Sequence, residues 1–157
     1  MLAVGSQAPG FSLPDQDGNT YSLESFRDQW VIVYFYPKDD TPGCTKEACS
    51  FRDMFHELKQ HGIQVIGISK DNVNSHKKFV EKFQLPFLLL SDTEKTTIQA
   101  YGAWGVKKFM GREFDGILRN TYLIDPEGKI AKIYEKVKPD EHAQEILKDW
   151  EQLSAHV

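Results

Sequence analysis

A mixed α/β fold, with helices covering both faces of a central sheet, is predicted by three features of the sequence. Two apolar runs rich in β-branched residues, 30–36 and 64–69, flank a long stretch of helical spacing. A second helical stretch and a third apolar run follow, so strand and helix alternate as they do in parallel sheets. The chain then ends in a strand pair across the turn sequence Asp125-Pro126-Glu127-Gly128 and a terminal helix, which adds antiparallel strands to the sheet.

Each element has its own local reason. Residues 11–13 and 20–23 flank Asp15-Gln16-Asp17-Gly18-Asn19, a Gly-containing loop suited to an N-terminal β-hairpin. Residues 30–36 (WVIVYFY) show no alternation, the pattern of a central strand buried on both faces, and Pro37 ends them. Thr41 and Pro42 read as N-cap and first residue of a helix of about five turns. Phe51, Met54, Phe55 and Leu58 recur along it at helical spacing until Gly62 stops the pattern. Residues 64–69 form a second buried strand, 75–83 a second helix and 87–90 a short third strand. Strands at 120–124 and 130–137 and a helix at 140–153 complete the chain. This is the thioredoxin-like plan. It places the loop 37–43 at the C-terminal end of a strand and the N-terminal end of a helix, where open α/β sheets tend to bind small ligands.

Length and composition narrow the function. The 157 residues correspond to a single domain spanning 1–157, and 40% hydrophobic with 27% charged residues is ordinary for a globular chain. A net charge of −4 argues against a partner bound by phosphate neutralisation, so no nucleic acid is expected. The longest apolar run has seven residues, far below the ~20 of a membrane-spanning helix. The first residues lack both the basic and the apolar regions of a secretory signal, so the expected compartment is the cytoplasm.

The two cysteines, Cys44 and Cys49, are too few for a disulfide scaffold. Cys44 falls in the first turn of the predicted helix, where unpaired N–H groups and the helix dipole favour a thiolate. Pro37 and Pro42 stiffen the loop that feeds it, Gly43 allows close approach of the backbone to a ligand, and Thr41 offers a hydroxyl either to cap the helix or to bond the sulfur and an incoming oxygen. The bland alternative for Cys44 is a small buried hydrophobe, and for Cys49 a buried residue beside Ala48. At a spacing of five residues, two helical Cα atoms lie roughly 8–9 Å apart, beyond the ~6.8 Å limit of a disulfide. If these cysteines bond, the first turns of the helix must unwind.

A Cys₂His₂ metal site of Cys44, Cys49, His56 and His61 is disfavoured, because all four lie on one helix and face different ways. His56, His61, His76, His142 and His156 read as solvated helix residues. No Gly-rich phosphate loop of standard pattern is present. Lys107, Lys108 and Arg112, flanked by Trp104, Phe109 and Phe114, hint at a docking surface, but the preferred reading is a solvated loop with core aromatics.

The segment YPKDDTPGCTKEAC, residues 36–49, resembles the active site of peroxiredoxins, whose Pro-x-x-x-Thr/Ser-x-x-Cys signature is matched by Pro37, Thr41 and Cys44. With a second cysteine five residues on, it resembles the peroxiredoxin Q branch, also called bacterioferritin comigratory protein. The likeness extends to APGFSLPDQDG, GIS, LLSD and RNTYLIDPEG along nearly the whole chain. It implies a thiol peroxidase in which Cys44 is the peroxidatic nucleophile and Cys49 the resolving thiol, with Thr41 and Arg119 holding the peroxide beside Pro37 and Gly43. Glu47 fits the family's polar position in the helix, against the plain alternative of a solvated residue. The resemblance further implies an intramolecular Cys44–Cys49 disulfide recycled by thioredoxin or a related dithiol reductant, with no metal, haem or flavin. A monomer is expected, since no cysteine near the C-terminus is available to bridge subunits. Rival readings are a thiol–disulfide oxidoreductase, disfavoured because its usual pair is Cys-x-x-Cys, and a redox sensor or binding module switched by Cys44.

Overall fold

The computed structural model describes residues 2–135 and 137–155. Its centre is a five-stranded mixed sheet in the order β5-β4-β3-β8-β9, formed by β3 (Trp30–Phe35), β4 (Ile63–Ser69), β5 (Leu88–Ser91), β8 (Thr121–Ile124) and β9 (Ile130–Tyr134). β3 runs parallel to β4 from Trp30↔Ile63 to Phe35↔Ile68, and antiparallel to β8 on its other side. The central place of β3 follows from its lack of alternation. Ile32 and Tyr34 enter one apolar cluster, while Val31, Val33 and Phe35 enter another on the opposite face.

The first cluster is closed by α1 (Pro42–Gln60), α2 (Val73–Phe83) and α4 (His142–Ser154), through Ala48, Phe51, Leu58, Phe79, Ala143, Ile146 and Leu147. The second is covered by a 3-10 turn at Leu23–Phe26, by the short α3 (Thr96–Ala100) and by the N-terminal segment. Phe51 stacks on Tyr34 at 4.7 Å between ring centroids and meets Phe87 edge-on, which seats α1 over the sheet. Gly67 allows this packing, because a Cβ there would lie 2.8 Å from both the Tyr34 ring and Leu89.

The expected N-terminal hairpin forms from β1 (Ser12–Pro14) and β2 (Thr20–Ser22). Its loop is locked by Asp15, whose Oδ1 accepts from the amides of Asp17 and Asn19, both at 2.9 Å. Asp125 does the same for Glu127 and Lys129 in the turn between β8 and β9. The strand expected to run to residue 137 ends at Tyr134.

Two elements depart from the sequence reading. α3 was not foreseen, and residues 104–117 are no loop but a β-hairpin, β6 (Trp104–Phe109) and β7 (Arg112–Ile117), paired from Trp104↔Ile117 to Phe109↔Arg112. Met110 and Gly111 both have positive φ, the two-residue turn whose twist suits a hairpin. Of the aromatics there, Trp104 packs against the second cluster as expected, but Phe109 is 67% exposed and Phe114 48%. The basic residues lie among them, and Lys108 pairs loosely with Glu113 across the strands. Among the described residues, no helix is long and apolar enough to cross a membrane.

Candidate active site

The chain leaves β3 at Phe35, crosses the loop 37–41 and enters α1 with Thr41 as the extended N-cap residue and Pro42 at the first helical position. The Thr41 carbonyl receives the Thr45 amide at 2.8 Å, but its hydroxyl does not cap the helix. That hydroxyl donates instead to the Lys38 carbonyl at 2.9 Å, which fixes the side chain within the loop and leaves its oxygen able to accept a second bond. Cys44 follows in the first turn of α1 and is almost completely buried, at 1% exposure.

Arg119, in the segment between β7 and β8, reaches this cysteine. Its Nη2 donates to Cys44 Sγ at 3.4 Å and its Nη1 to Glu47 Oε1 at 3.0 Å. One planar guanidinium therefore joins two side chains a turn apart on α1. Gly43 makes room for it, since a Cβ at that position would stand 3.1 Å from Nη2. Glu47 is fully buried, so the alternative of a solvated residue fails. Its Oε2 has no hydrogen-bond partner among the described residues.

Burial sets the charges here against one another. It pushes the Glu47 carboxyl up to about 7, although the neighbouring Arg119 charge and hydrogen bond oppose the rise. Burial works against the charge on Arg119, but Cys44 and Glu47 together outweigh it and hold the guanidinium above its ordinary value. Lys107 on β6 belongs to the same field: partial burial and Arg119 lower it, and Cys44 acts in the opposite sense. Its Nζ donates to the Ile117 carbonyl at 3.0 Å.

Cys44, Arg119, Glu47 and Gly43 are thus brought together, with Thr41 and the half-buried Pro37 on the loop that leads to them. Cys49 is a free thiol, partly buried, farther along the same uninterrupted helix. Ideal helix geometry separates the two cysteine Cα atoms by roughly 8–9 Å, so α1 in this form keeps the thiols apart.

The sequence reading missed a cluster behind the loop. Asp39 is buried, and its carboxylate accepts from the Tyr36 hydroxyl at 2.5 Å and the Ser75 hydroxyl at 2.8 Å, and meets His76 Nδ1 at 2.7 Å. His76 was expected to be solvated but is fully buried, as is His142, which bonds Thr121 at 2.7 Å. His56 and His61 are exposed as expected, and His156 lies outside the described residues. The signal for His76 was available: it lies at helical spacing from Phe79, Val80 and Phe83, on the apolar side of α2. Asp39, Asp71 and His76 have potential ligand atoms within 4.8 Å of one another. They do not form an ion cage, because Asp39 and His76 bond directly and Asp71 Oδ2 is occupied by the Ser69 hydroxyl and the Asp39 amide. A groove of about 750 Å³ between β1, the start of α2 and the segment after β5 lies apart from this chemistry, with no cysteine or arginine in its lining.

Comparison with known proteins agrees with the geometry. The AhpC/TSA family matches residues 4–133. A putative peroxiredoxin Bcp of Coxiella burnetii is 49% identical over 93% of this chain and 97% of its own length. Peroxiredoxin Bcp of Escherichia coli K12 is 47% identical over 93% and 94%. Among solved structures, a cysteine-to-serine mutant of Xylella fastidiosa PrxQ superposes with a TM-score of 0.90 at 31% identity, covering 99% of this chain and 98% of that one. The bacterioferritin comigratory protein of Xanthomonas campestris, studied for alkyl peroxide reduction, gives 0.85 at 34% identity over 93% and 91%. The chain belongs to the AhpC/TSA family, in its peroxiredoxin Q branch, and is a thiol-dependent peroxidase.

Proposed function

We propose that Cys44 is the peroxidatic nucleophile of this peroxidase, that Cys49 resolves it, and that Thr41 and Arg119 hold the hydroperoxide between them. The observation that carries this reading is the Arg119 fork, with one nitrogen on Cys44 Sγ and the other on the buried Glu47. A positive fork fixed beside the sulfur stabilises negative charge on the peroxide oxygens as the O–O bond lengthens. Thr41 contributes a hydroxyl oxygen already aligned by Lys38. Pro37 and Gly43 shape the approach, Pro37 without adding a competing donor and Gly43 by leaving space for the guanidinium.

In the reaction, the Cys44 thiolate attacks one peroxide oxygen in line. The O–O bond breaks, the other oxygen leaves as water or an alcohol after taking up a proton, and Cys44 becomes a sulfenic acid. Local unwinding of α1 then lets the Cys49 thiol displace the hydroxyl, giving the intramolecular disulfide and one molecule of water. A thioredoxin-like dithiol restores both thiols by exchange and is itself oxidised. No metal, haem or flavin enters these steps. Hydrogen peroxide and organic hydroperoxides both fit a site that recognises only the O–O group. The chain works as one domain over 1–157, as a cytoplasmic monomer without nucleic-acid or membrane partners, in keeping with its net charge of −4 and its two cysteines on one helix.

Continuous turnover with hydrogen peroxide, thioredoxin and a thioredoxin reductase tests the reading. Many peroxides consumed per protein chain, with loss of turnover in Cys44→Ser, is the expected result. A single oxidation per chain under excess reductant would instead mark a redox sensor and overturn it.

A further inference from the structure

The loop before Cys44 is tied down by α2 at successive residues. Asp39 accepts from the Ser75 hydroxyl and meets His76 Nδ1, while the exposed Asp40 receives Lys82 at 2.8 Å. Asp40 is held at φ +57°, a conformation that L residues other than Asn and Asp seldom adopt. The Asp39 amide bonds Asp71 Oδ2 at 2.9 Å, which links the loop to the end of β4 as well.

His76 is the centre of this fastening. Its Nε2 faces the Leu90 carbonyl at 3.1 Å and its Nδ1 faces Asp39 Oδ2 at 2.7 Å, so both ring nitrogens meet acceptors. The Tyr36 hydroxyl stands 3.3 Å from the same Nδ1 and 2.5 Å from Asp39 Oδ1, so ring, carboxylate and phenol close into one cluster. Water is excluded from both partners, and a hydrogen bond in such surroundings is stronger than one in water. Nothing in the peroxide chemistry uses Asp39 or His76, yet Asp39 stands two residues before Thr41 and five before Cys44.

We propose that the Asp39–His76 pair is a positioning strut that holds the 37–43 loop in its peroxide-ready form and must let go before Cys49 can reach Cys44. The pair therefore divides the catalytic cycle between its two chemical steps. With the strut closed, Cys44 stays in the first turn of α1 against Arg119 and peroxide attack is fast. With it open, the first turns unwind and disulfide formation is fast. This rests on the assignment of Cys44 and Cys49 given above.

The test is rapid mixing of the reduced protein with hydrogen peroxide, quenched and followed by intact mass, which separates addition of oxygen from the later loss of water. His76→Leu fills the same apolar space without donors. It should slow oxygen addition about tenfold, in line with loss of a hydrogen bond to a charged group, and should speed the loss of water. His76→Asn keeps a donor in place of Nδ1 and should restore most of both rates. A merely structural histidine would lower both rates along with thermal stability, or leave both unchanged, and either pattern would overturn the proposal. Should His76→Leu not fold, Ser75→Ala removes one donor to Asp39 from the surface turn of α2, and it must move the two rates in the same opposite directions. Amide exchange of residues 38–45 in the reduced protein provides a separate reading of the strut. If wild-type Cys44 does not oxidise, the assignment of the cysteines fails. If it oxidises but His76→Leu leaves that exchange unchanged, the strut fails.

Discussion

Arg119 contacts Glu47 and Cys44 with two nitrogens of one guanidinium. Replacing it with Met removes the donor to Cys44 Sγ and strands the buried Glu47. Peroxide attack should then fall about 10²- to 10³-fold, the loss typical of one donor at a developing oxyanion. Lysine should not rescue it, since its point-like ammonium lacks the planar fork whose two nitrogens reach Cys44 and Glu47. The measurement is the rate of Cys44 oxidation under single-turnover conditions. Glu47 makes a different prediction. Its carboxyl rises from 4.5 when unburied to about 7 in the fold, so the folded state binds a proton that the unfolded state releases. Stability is therefore greatest below about pH 4.5 for this group and is lost as pH rises through 7, by no more than about 3 kcal/mol. Denaturant unfolding of wild type against Glu47→Gln from pH 4 to 8 checks the sign, with the Gln variant lacking this slope. At this scale the sequence was readable where spacing carries chemistry, as at Pro37, Thr41 and Cys44. It was less so at Glu47 and Asp39, because nothing near them in sequence reveals that Arg119 or His76 folds over them. His76 is the instructive case, since helical spacing placed it among apolar residues while its residue type suggested solvent.

α1 carries both cysteines on one continuous helix, and that continuity sets the next prediction. Oxidation to the Cys44–Cys49 disulfide should abolish amide-exchange protection from Thr41 to about Phe51 while the rest of α1 stays protected. Equal protection in both redox forms would contradict an intramolecular bridge. The sheet beneath α1 depends on Gly67, where an added methyl must displace Tyr34 or Leu89. Gly67→Ala should cost about 1–3 kcal/mol by thermal unfolding, as overpacking of a filled core does. The major elements were legible because burial imposes period: a run without alternation became the central β3, and apolar residues at helical spacing became α1 and α2. The β6–β7 hairpin was not, because Val106, Phe109, Met110 and Phe114 are all exposed and no face is buried strongly enough to impose alternation. Its Met-Gly turn also lacks the Asn or Asp that usually announces such a hairpin.

For the whole molecule, the fold brings residues 39, 44, 47, 76 and 119, drawn from three separate stretches of chain, around the end of β3. The thioredoxin-like plan and its mixed sheet were readable from element order alone, whereas the convergence of those stretches depends on long-range packing that one sequence does not display. Reduced protein should scatter light as a single chain, and a doubled mass would contradict the monomer. The most direct test of the central claim is intact mass after about one equivalent of hydrogen peroxide without reductant, followed with time in wild type, Cys44→Ser and Cys49→Ser. The account predicts rapid loss of two hydrogens in wild type, one added oxygen in Cys49→Ser and no reaction in Cys44→Ser. Oxidation no faster than that of free cysteine, or oxidation that persists in Cys44→Ser and is lost in Cys49→Ser, would contradict it.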